Sequence, residues 1–264
     1  MMITNTQSGQ VKLSLAEISR LRAQFWKQGY GSISANEAVF IQDAIIQEKP
    51  KRFLEVGTAS GLSTGLISIF MDLNDGEDVI TIDLDETFWV DRSKSVGFLA
   101  TEMYQEDKVK VTQIKGKTST CLSKTFAERK FDMAFVDACH QHPWPTLDML
   151  SIVPLLNSGS FVIHHDLALY KMHPIGIGPK HLYDQMPGQF LHATYEPRQN
   201  IYYIRVPSNY QVFETYLSDS LLIPWTIKHK IPDSTIGEFG KIIEQYWSSS
   251  LLADFNKSVN RFNK

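Results

Sequence analysis

Short apolar runs alternate with longer segments through the middle of the chain, and this rhythm is the strongest signal in the sequence. The strand-like runs are Arg52–Val56, Val79–Leu84, Val109–Ile114, Phe131–Asp137, Ser160–His165, Phe190–Tyr195 and Ile201–Val206, with helix-length segments between the first five. Continuous runs such as Met133-Ala134-Phe135-Val136 suit strands buried on both faces, as in a parallel sheet. Alternating strands and helices over this length predict a doubly wound α/β sheet. The last two runs are joined only by the polar stretch Glu196–Asn200, too short for a helical crossover, so they should pair antiparallel.

The flanks follow a different period. Ser14-Leu15-Ala16-Glu17 and Ser34-Ala35-Asn36-Glu37 each read as a capping box. The first opens a helix to about Gln28, with Ile18, Leu21 and Phe25 or Trp26 on one face; the second opens a helix up to Lys49-Pro50. Residues 1–12 are polar and read as a mobile lead-in. Past Asn209, the stripe Phe239, Ile242, Ile243, Tyr246, Trp247, Leu251, Phe255, Val259 and Phe262 predicts one long amphipathic helix. It would dock on its own domain or, being rich in aromatics, join subunits as a homo-oligomer. The expected organisation is an N-terminal helical cap (1–49), a cofactor-binding α/β domain (50–207) and a C-terminal helical extension (208–264).

Composition changes this picture little. The chain has 264 residues and a net charge of −3, so a general nucleic-acid or anionic-membrane surface is not expected. No run approaches a membrane span, and no charged segment leads an apolar core at the N-terminus. The two cysteines, Cys121 and Cys139, make no framework; Cys139 follows an apolar strand and reads as a buried thiol. A reducing, cytoplasmic setting is the default.

Chemistry concentrates at the ends of the runs. After Phe53-Leu54-Glu55-Val56 comes Gly57-Thr58-Ala59-Ser60-Gly61-Leu62-Ser63-Thr64, a glycine-punctuated turn opening a helix. A helix N-terminus suits a carboxylate or phosphate, and Gly57 and Gly61 let backbone approach a ligand. The dinucleotide fingerprint has a central glycine where Ala59 stands, which weakens a pyrophosphate ligand. A ligand with an amino-acid end fits better: Glu55 accepts from an ammonium, loop N–H groups hold a carboxylate, and S-adenosylmethionine carries both. Asp83, at the end of Thr81-Ile82-Asp83, is placed for ribose hydroxyls. The fourth run ends Asp137-Ala138-Cys139-His140 and the fifth His164-His165-Asp166. Ligands of open α/β sheets lie beyond the strands' carboxyl ends, so Asp137, His140, His165 and Asp166 should gather beside the first loop. They form a candidate acid/base or divalent-metal site. The plainer reading makes Asp137 a turn cap and the histidines structural.

These motifs together resemble the class I S-adenosylmethionine-dependent methyltransferases, in the small-molecule O-methyltransferase branch with catechol-type and macrolide-sugar-type members. The resemblance rests on Phe53–Thr64, Thr81–Asp83, Phe131–Asp137 and Pro154–Asp166, and covers about residues 36–206. It implies a seven-stranded sheet in the order 3-2-1-4-5-7-6 with strand 7 antiparallel. By position it implies cofactor contacts from Glu55, Gly57, Thr58, Ala59, Ser60, Gly61, Ser63, Asp83 and Asp137, metal ligation by Asp137 and Asp166, and His140 as general base. Two departures stand out. Leu167 follows the second acid where catechol-type members carry Asn or Asp, and His165 precedes it where sugar-type members carry Glu. With one oxygen ligand lost and an imidazole offered, a softer cation than Mg²⁺, or none, is expected. Gly116-Lys117-Thr118-Ser119 lacks the acid often found at the adenine position.

The expected activity is methyl transfer to a hydroxyl of a small molecule, with a catechol, a sugar, a carboxylate and even an amine left open as acceptor. His165, His173, Tyr170 and Trp144 are acceptor-side candidates, Trp144 reading better as packing. The segment Leu167–Gly188, rich in glycine and proline, is a lid or a mere insertion. Two rival classes share the sheet: a nicotinamide-dependent oxidoreductase, and a non-catalytic cofactor-binding module.

Overall fold

The computed structural model describes residues 4–5, 11–30, 33–128, 130–193 and 200–264. The sheet strands are β1 (Arg52–Val56), β2 (Asp78–Asp83), β3 (Lys110–Lys115), β4 (Phe131–Val136), β5 (Leu156–His164), β6 (Leu191–Ala193) and β7 (Tyr202–Arg205). They lie in the order β3-β2-β1-β4-β5-β7-β6. β1 with β2 and β2 with β3 are parallel, in unbroken register from Arg52↔Asp78 and Asp78↔Lys110. β7 runs antiparallel to both β5 and β6. The expected order and the reversed last strand are therefore present. Of the residues that join β6 to β7, 194–199 lie outside the described set, as do the end of the sixth expected run and most of residues 1–12.

The chain divides into two compact units, Met1–Lys117 with Phe131–Met133, and Thr118–Lys130 with Ala134–Lys264. In the first unit, α1 (Leu15–Phe25) and α2 (Ala35–Glu48) both start with complete capping boxes, at Ser14–Glu17 and Ser34–Glu37. α1 stops three residues short of the expected Gln28, because Trp26 takes an extended backbone at its C-cap. α3 (Leu62–Leu73) is the helix that opens from the glycine turn, and it buries Leu66, Ile67 and Phe70 completely. The segments after β2 and β3 are less helical than their length suggests. α4 (Phe98–Met103) has six residues and α5 (Leu122–Thr125) four.

In the second unit, α6 (Trp144–Ile152) is buried all along its length from Pro145 to Ile152. The segment after β5 carries two 3-10 turns and α7 (Gly178–Gln185). The C-terminal part holds α8 (Glu214–Leu222), α9 (Asp233–Tyr246) and α10 (Ser249–Phe262). The expected single long helix is thus two. Trp247 is extended at the break, and the Ser248 side chain caps α10 by accepting from Leu251 N–H. Trp247 gains from the break, since its indole N–H donates to the Leu150 carbonyl at 2.9 Å. The apolar stripe is used inside the unit: Phe239, Ile243 and Phe255 are wholly buried, as are Leu217 and Leu221 of α8. Among the described residues no helix is long and apolar enough to cross a membrane. Both cysteines are free thiols, and Cys139 is exposed rather than buried, because the chain has left β4 and turned outward.

Candidate active site

Two acidic side chains of the first unit brace the glycine turn. Gly57 N–H donates to the Ile82 carbonyl at 2.8 Å, and the turn then bends through left-handed conformations at Gly57, Ala59 and Gly61. Asp83 Oδ2 accepts from Thr58 N–H at 3.0 Å and Ala59 N–H at 2.8 Å, while Oδ1 accepts from Asp85 N–H at 2.9 Å. Charge-assisted bonds of this kind offset the strain of a positive φ at Ala59. Glu55 is fully buried, and its carboxylate receives Ser63 Oγ at 2.7 Å and Thr64 Oγ1. Glu55 therefore locks the first turn of α3 to the end of β1, a role that residue order alone did not reveal.

The glycines serve packing as much as ligand access. Gly97 N–H donates to the Ala59 carbonyl and Leu99 N–H to the Ser60 carbonyl, both at 2.9 Å. Thr58 and Ser60 are buried in this turn, and Thr58 Oγ1 lies 2.5 Å from Thr81 Oγ1. The loop is thus pinned from both sides: by Asp83 at its N–H groups, and by the Gly97–Leu99 backbone at its carbonyls.

In the second unit the structure brings together the four residues at the ends of β4 and β5. His140 Nε2 stands 2.8 Å from Asp166 Oδ2 and 3.2 Å from Asp137 Oδ1. His165 Nδ1 faces the same two acids, at 3.1 Å from Asp137 Oδ1 and 3.4 Å from Asp166 Oδ1. Asp166 sits at φ 60, in the left-handed region, which turns its side chain back toward Asp137. Asn200, which carried no sequence signal, holds it there: its Nδ2 donates to Asp166 Oδ1 at 2.9 Å, and its Oδ1 accepts from Ala168 N–H at 2.9 Å.

Burial alone would push the Asp137 carboxyl up, but the nearby His165 charge and the bonds from His140 and His165 hold it down, at about 2. Burial opposes the same imidazole partners at Asp166 and loses, so this carboxyl too stays below the usual range. For His140, burial would lower the pKa, yet bonds to Asp137 and Asp166 raise it to about 9. The pair of carboxylates therefore keeps a proton on His140 at neutral pH, and the unprotonated ring is a correspondingly strong base. One oxygen of each acid and the His140 ring nitrogen lie within 4.8 Å of one another, a grouping able to hold a metal ion.

The remaining candidates divide. His164 is buried and stacks on Tyr202, with ring centroids 5.3 Å apart, and burial pushes its pKa down to about 3. Trp144 packs edge-on against Phe239 at 6.1 Å, the packing role favoured for it. Tyr170 lies in the first 3-10 turn after Asp166, and His173 follows it directly before the second.

Residues 54–167 match the family described as a methyltransferase domain. Over 72–78% of the chain the fold is similar to solved methyltransferases. The O-methyltransferase of Bacillus cereus, in complex with SAH, superposes with a TM-score of 0.52 at 17% identity, over 72% of this chain and 90% of its own. TomG of Streptomyces achromogenes, an O-methyltransferase involved in tomaymycin synthesis and solved with SAM, gives 0.52 at 19% identity over 78% and 91%. The SAH-bound methyltransferase PaMTH1 of Podospora anserina gives 0.50 at 18% over 72% and 86%. No curated protein matches this sequence. Residues 54–167 thus resemble a methyltransferase domain, and the fold is that of solved O-methyltransferases.

Proposed function

We propose that this enzyme transfers the methyl group of S-adenosylmethionine to a hydroxyl of a small molecule. The observation that carries the reading is the His140 ring nitrogen set between Asp166 and Asp137, at 2.8 and 3.2 Å, in a chain whose residues 54–167 resemble a methyltransferase domain. S-adenosylmethionine supplies the electrophilic methyl of its sulfonium. The protein's task is to align the acceptor, exclude water and remove the hydroxyl proton. Glu55, Gly57, Thr58, Ala59, Ser60, Gly61, Ser63 and Asp83 are the cofactor-binding candidates of the first unit. Glu55 is already satisfied by Ser63 and Thr64, so it shapes the turn that receives the amino-acid end. Asp83 accepts three N–H bonds and keeps about one of its four acceptor sites, on Oδ1, for a ribose hydroxyl.

His140, once unprotonated, takes the acceptor proton, and Asp137 and Asp166 stabilise the imidazolium that results. With His140 unprotonated and acting as a ligand instead of as the base, the donor set fits a divalent cation held by Asp137, His140 and Asp166, with His165 facing the same acids. Two carboxylates and an imidazole favour Mn²⁺, Fe²⁺ or Zn²⁺ over Mg²⁺. Bound there, such an ion would lower the pKa of the acceptor hydroxyl. The net charge of −3 and free thiols support small-molecule work in a reducing cytoplasm.

Calorimetry with S-adenosylmethionine and with NADH, followed by methyl transfer in wild type and His140→Gln, tests this. Expected are S-adenosylmethionine binding in both proteins and turnover only in wild type. NADH binding without S-adenosylmethionine binding would sink the reading.

A further inference from the structure

We infer that the C-terminal extension is a positioning device for His140 and that Thr226, between α8 and α9, is the residue through which it acts. The inference rests on the role given to His140 above. His140 lies in the irregular stretch between Val136 and Trp144, where α6 reaches back to the Gln141 and Pro143 carbonyls and the backbone groups of His140 and His142 need other partners. Those partners come from later in the chain. The His140 carbonyl accepts from Gly178 N–H at 2.8 Å. His142 N–H donates to Thr226 Oγ1 at 2.9 Å, and the His142 carbonyl accepts from Thr226 N–H at 2.9 Å. Thr226 Oγ1 then donates to the Ile175 carbonyl at 2.9 Å, and Gln141 Oε1 accepts from Lys228 N–H at 2.8 Å.

One hydroxyl thus uses both of its bonding capacities to tie the stretch that bears His140 to the stretch that follows Asp166. The fit around it is close. A Cβ on Gly178 would stand 2.6 Å from the His140 carbonyl oxygen and 3.0 Å from His142 N. The His142 side chain is completely buried, so the stretch cannot slide outward without exposing it. The reason for such a clamp is geometric. His140 must reach two carboxylates at once, and a displacement of about 1 Å in a reacting group can cost a factor of about 100 in rate. None of these contacts involves the reacting atoms, so Thr226 is a positioning residue.

The experiment uses the full-length chain as wild type, Thr226→Val and Thr226→Ser. Val matches the shape of Thr but deletes both hydroxyl bonds; Ser keeps them. Readouts are the melting temperature, S-adenosylmethionine affinity by calorimetry, and kcat and KM with 3,4-dihydroxybenzoate as probe acceptor. The fourth is the histidine side-chain NMR spectrum at pH 7, with His140 signals assigned by their loss in His140→Gln. In Thr226→Val, the His140 signals should shift or broaden, kcat should fall by about 30- to 100-fold, and KM and cofactor affinity should stay within about twofold. Thr226→Ser should restore signals and kcat to within about threefold of wild type.

Unchanged His140 signals in the Val variant, or equal impairment in Val and Ser, would overturn the inference. If wild type does not methylate the probe, the NMR decides alone. A ring moved by Val and restored by Ser then supports the clamp, even where the role of His140 as a base fails. Should Thr226→Val not fold, Thr226→Ala, which deletes the same two hydroxyl bonds, takes its place in every readout; unmoved His140 signals in it would likewise overturn the inference.

Discussion

Gly61 packs against Gly97 so closely that a Cβ on Gly61 would stand 2.7 Å from the Gly97 Cα and 2.9 Å from Ala100 N. The glycine turn of a cofactor loop is usually explained by the ligand. Here the backbone of the segment before α4 already occupies the space beside Gly61, and φ 86 at Gly61 adds a second reason for glycine. Gly61→Ala should therefore destabilise the free protein, before any cofactor is present. The cost should be at least about 2 kcal/mol, from backbone overlap and strain together. Urea unfolding of the ligand-free variant measures it; a midpoint equal to wild type would mean that Gly61 serves the ligand alone.

Asp83 holds two N–H groups of the turn as well as its own strand end. In Asp83→Asn the amide can accept with only one oxygen, and its NH₂ would face the donors of Thr58 or Ala59 or displace Asp85. Cofactor affinity should fall by at least about tenfold, with about 1–3 kcal/mol lost from stability. Calorimetry with S-adenosylhomocysteine, alongside thermal melting, checks both numbers. A loss of affinity with no loss of stability would confine Asp83 to ribose binding.

Asp148 of α6 is buried and accepts a single bond from Ser119 Oγ at 2.7 Å. Burial pushes its carboxyl up to about 7, with the Ser119 bond opposing. In the fold it keeps its proton where the unfolded chain has released it. Its contribution to stability is complete below about pH 4 and is lost as pH rises through about 7, at about 1.4 kcal/mol per pH unit across that window. Asp148→Asn cannot ionise. The variant should gain stability relative to wild type on going from pH 5 to pH 8, by a shift in urea midpoint. A difference between the two proteins that does not change with pH would show that Asp148 stays ionised.

The cluster at the ends of β4 and β5 makes its own prediction about cations. With two carboxylates and an imidazole as donors, Mn²⁺ should bind at least about tenfold more tightly than Mg²⁺. Asp166→Asn should weaken Mn²⁺ by a further tenfold or more, about 1.4 kcal/mol. Titration calorimetry without acceptor measures both. Absence of Mn²⁺ binding, or binding unaffected by Asp166→Asn, would remove the metal from this site.

The sequence by itself determined the sheet. Strand existence follows from continuous apolar runs, and the antiparallel last strand from a connection too short for a crossover. The two capping boxes were equally legible, because a cap is a contact between residues three apart. Local patterns also placed Asp83, Asp137, His140, His165 and Asp166 at strand ends, where chemistry collects in such folds. What the sequence could not show is what each side chain does on arrival. Periodicity ran unbroken through Tyr246, Trp247 and Ser248, yet the helix breaks there, because Trp247 finds the Leu150 carbonyl and Ser248 caps a new helix. Glu55 read as a ligand for an ammonium, and tertiary packing gave it Ser63 and Thr64. Cys139 read as buried, and the turn after β4 exposes it. Asn200 and Thr226 carried no signal at all, since each acts on residues more than 30 positions away. Local order is written in the spacing of neighbours; the partners of a buried acid or an unpaired amide are chosen only when distant segments close on one another.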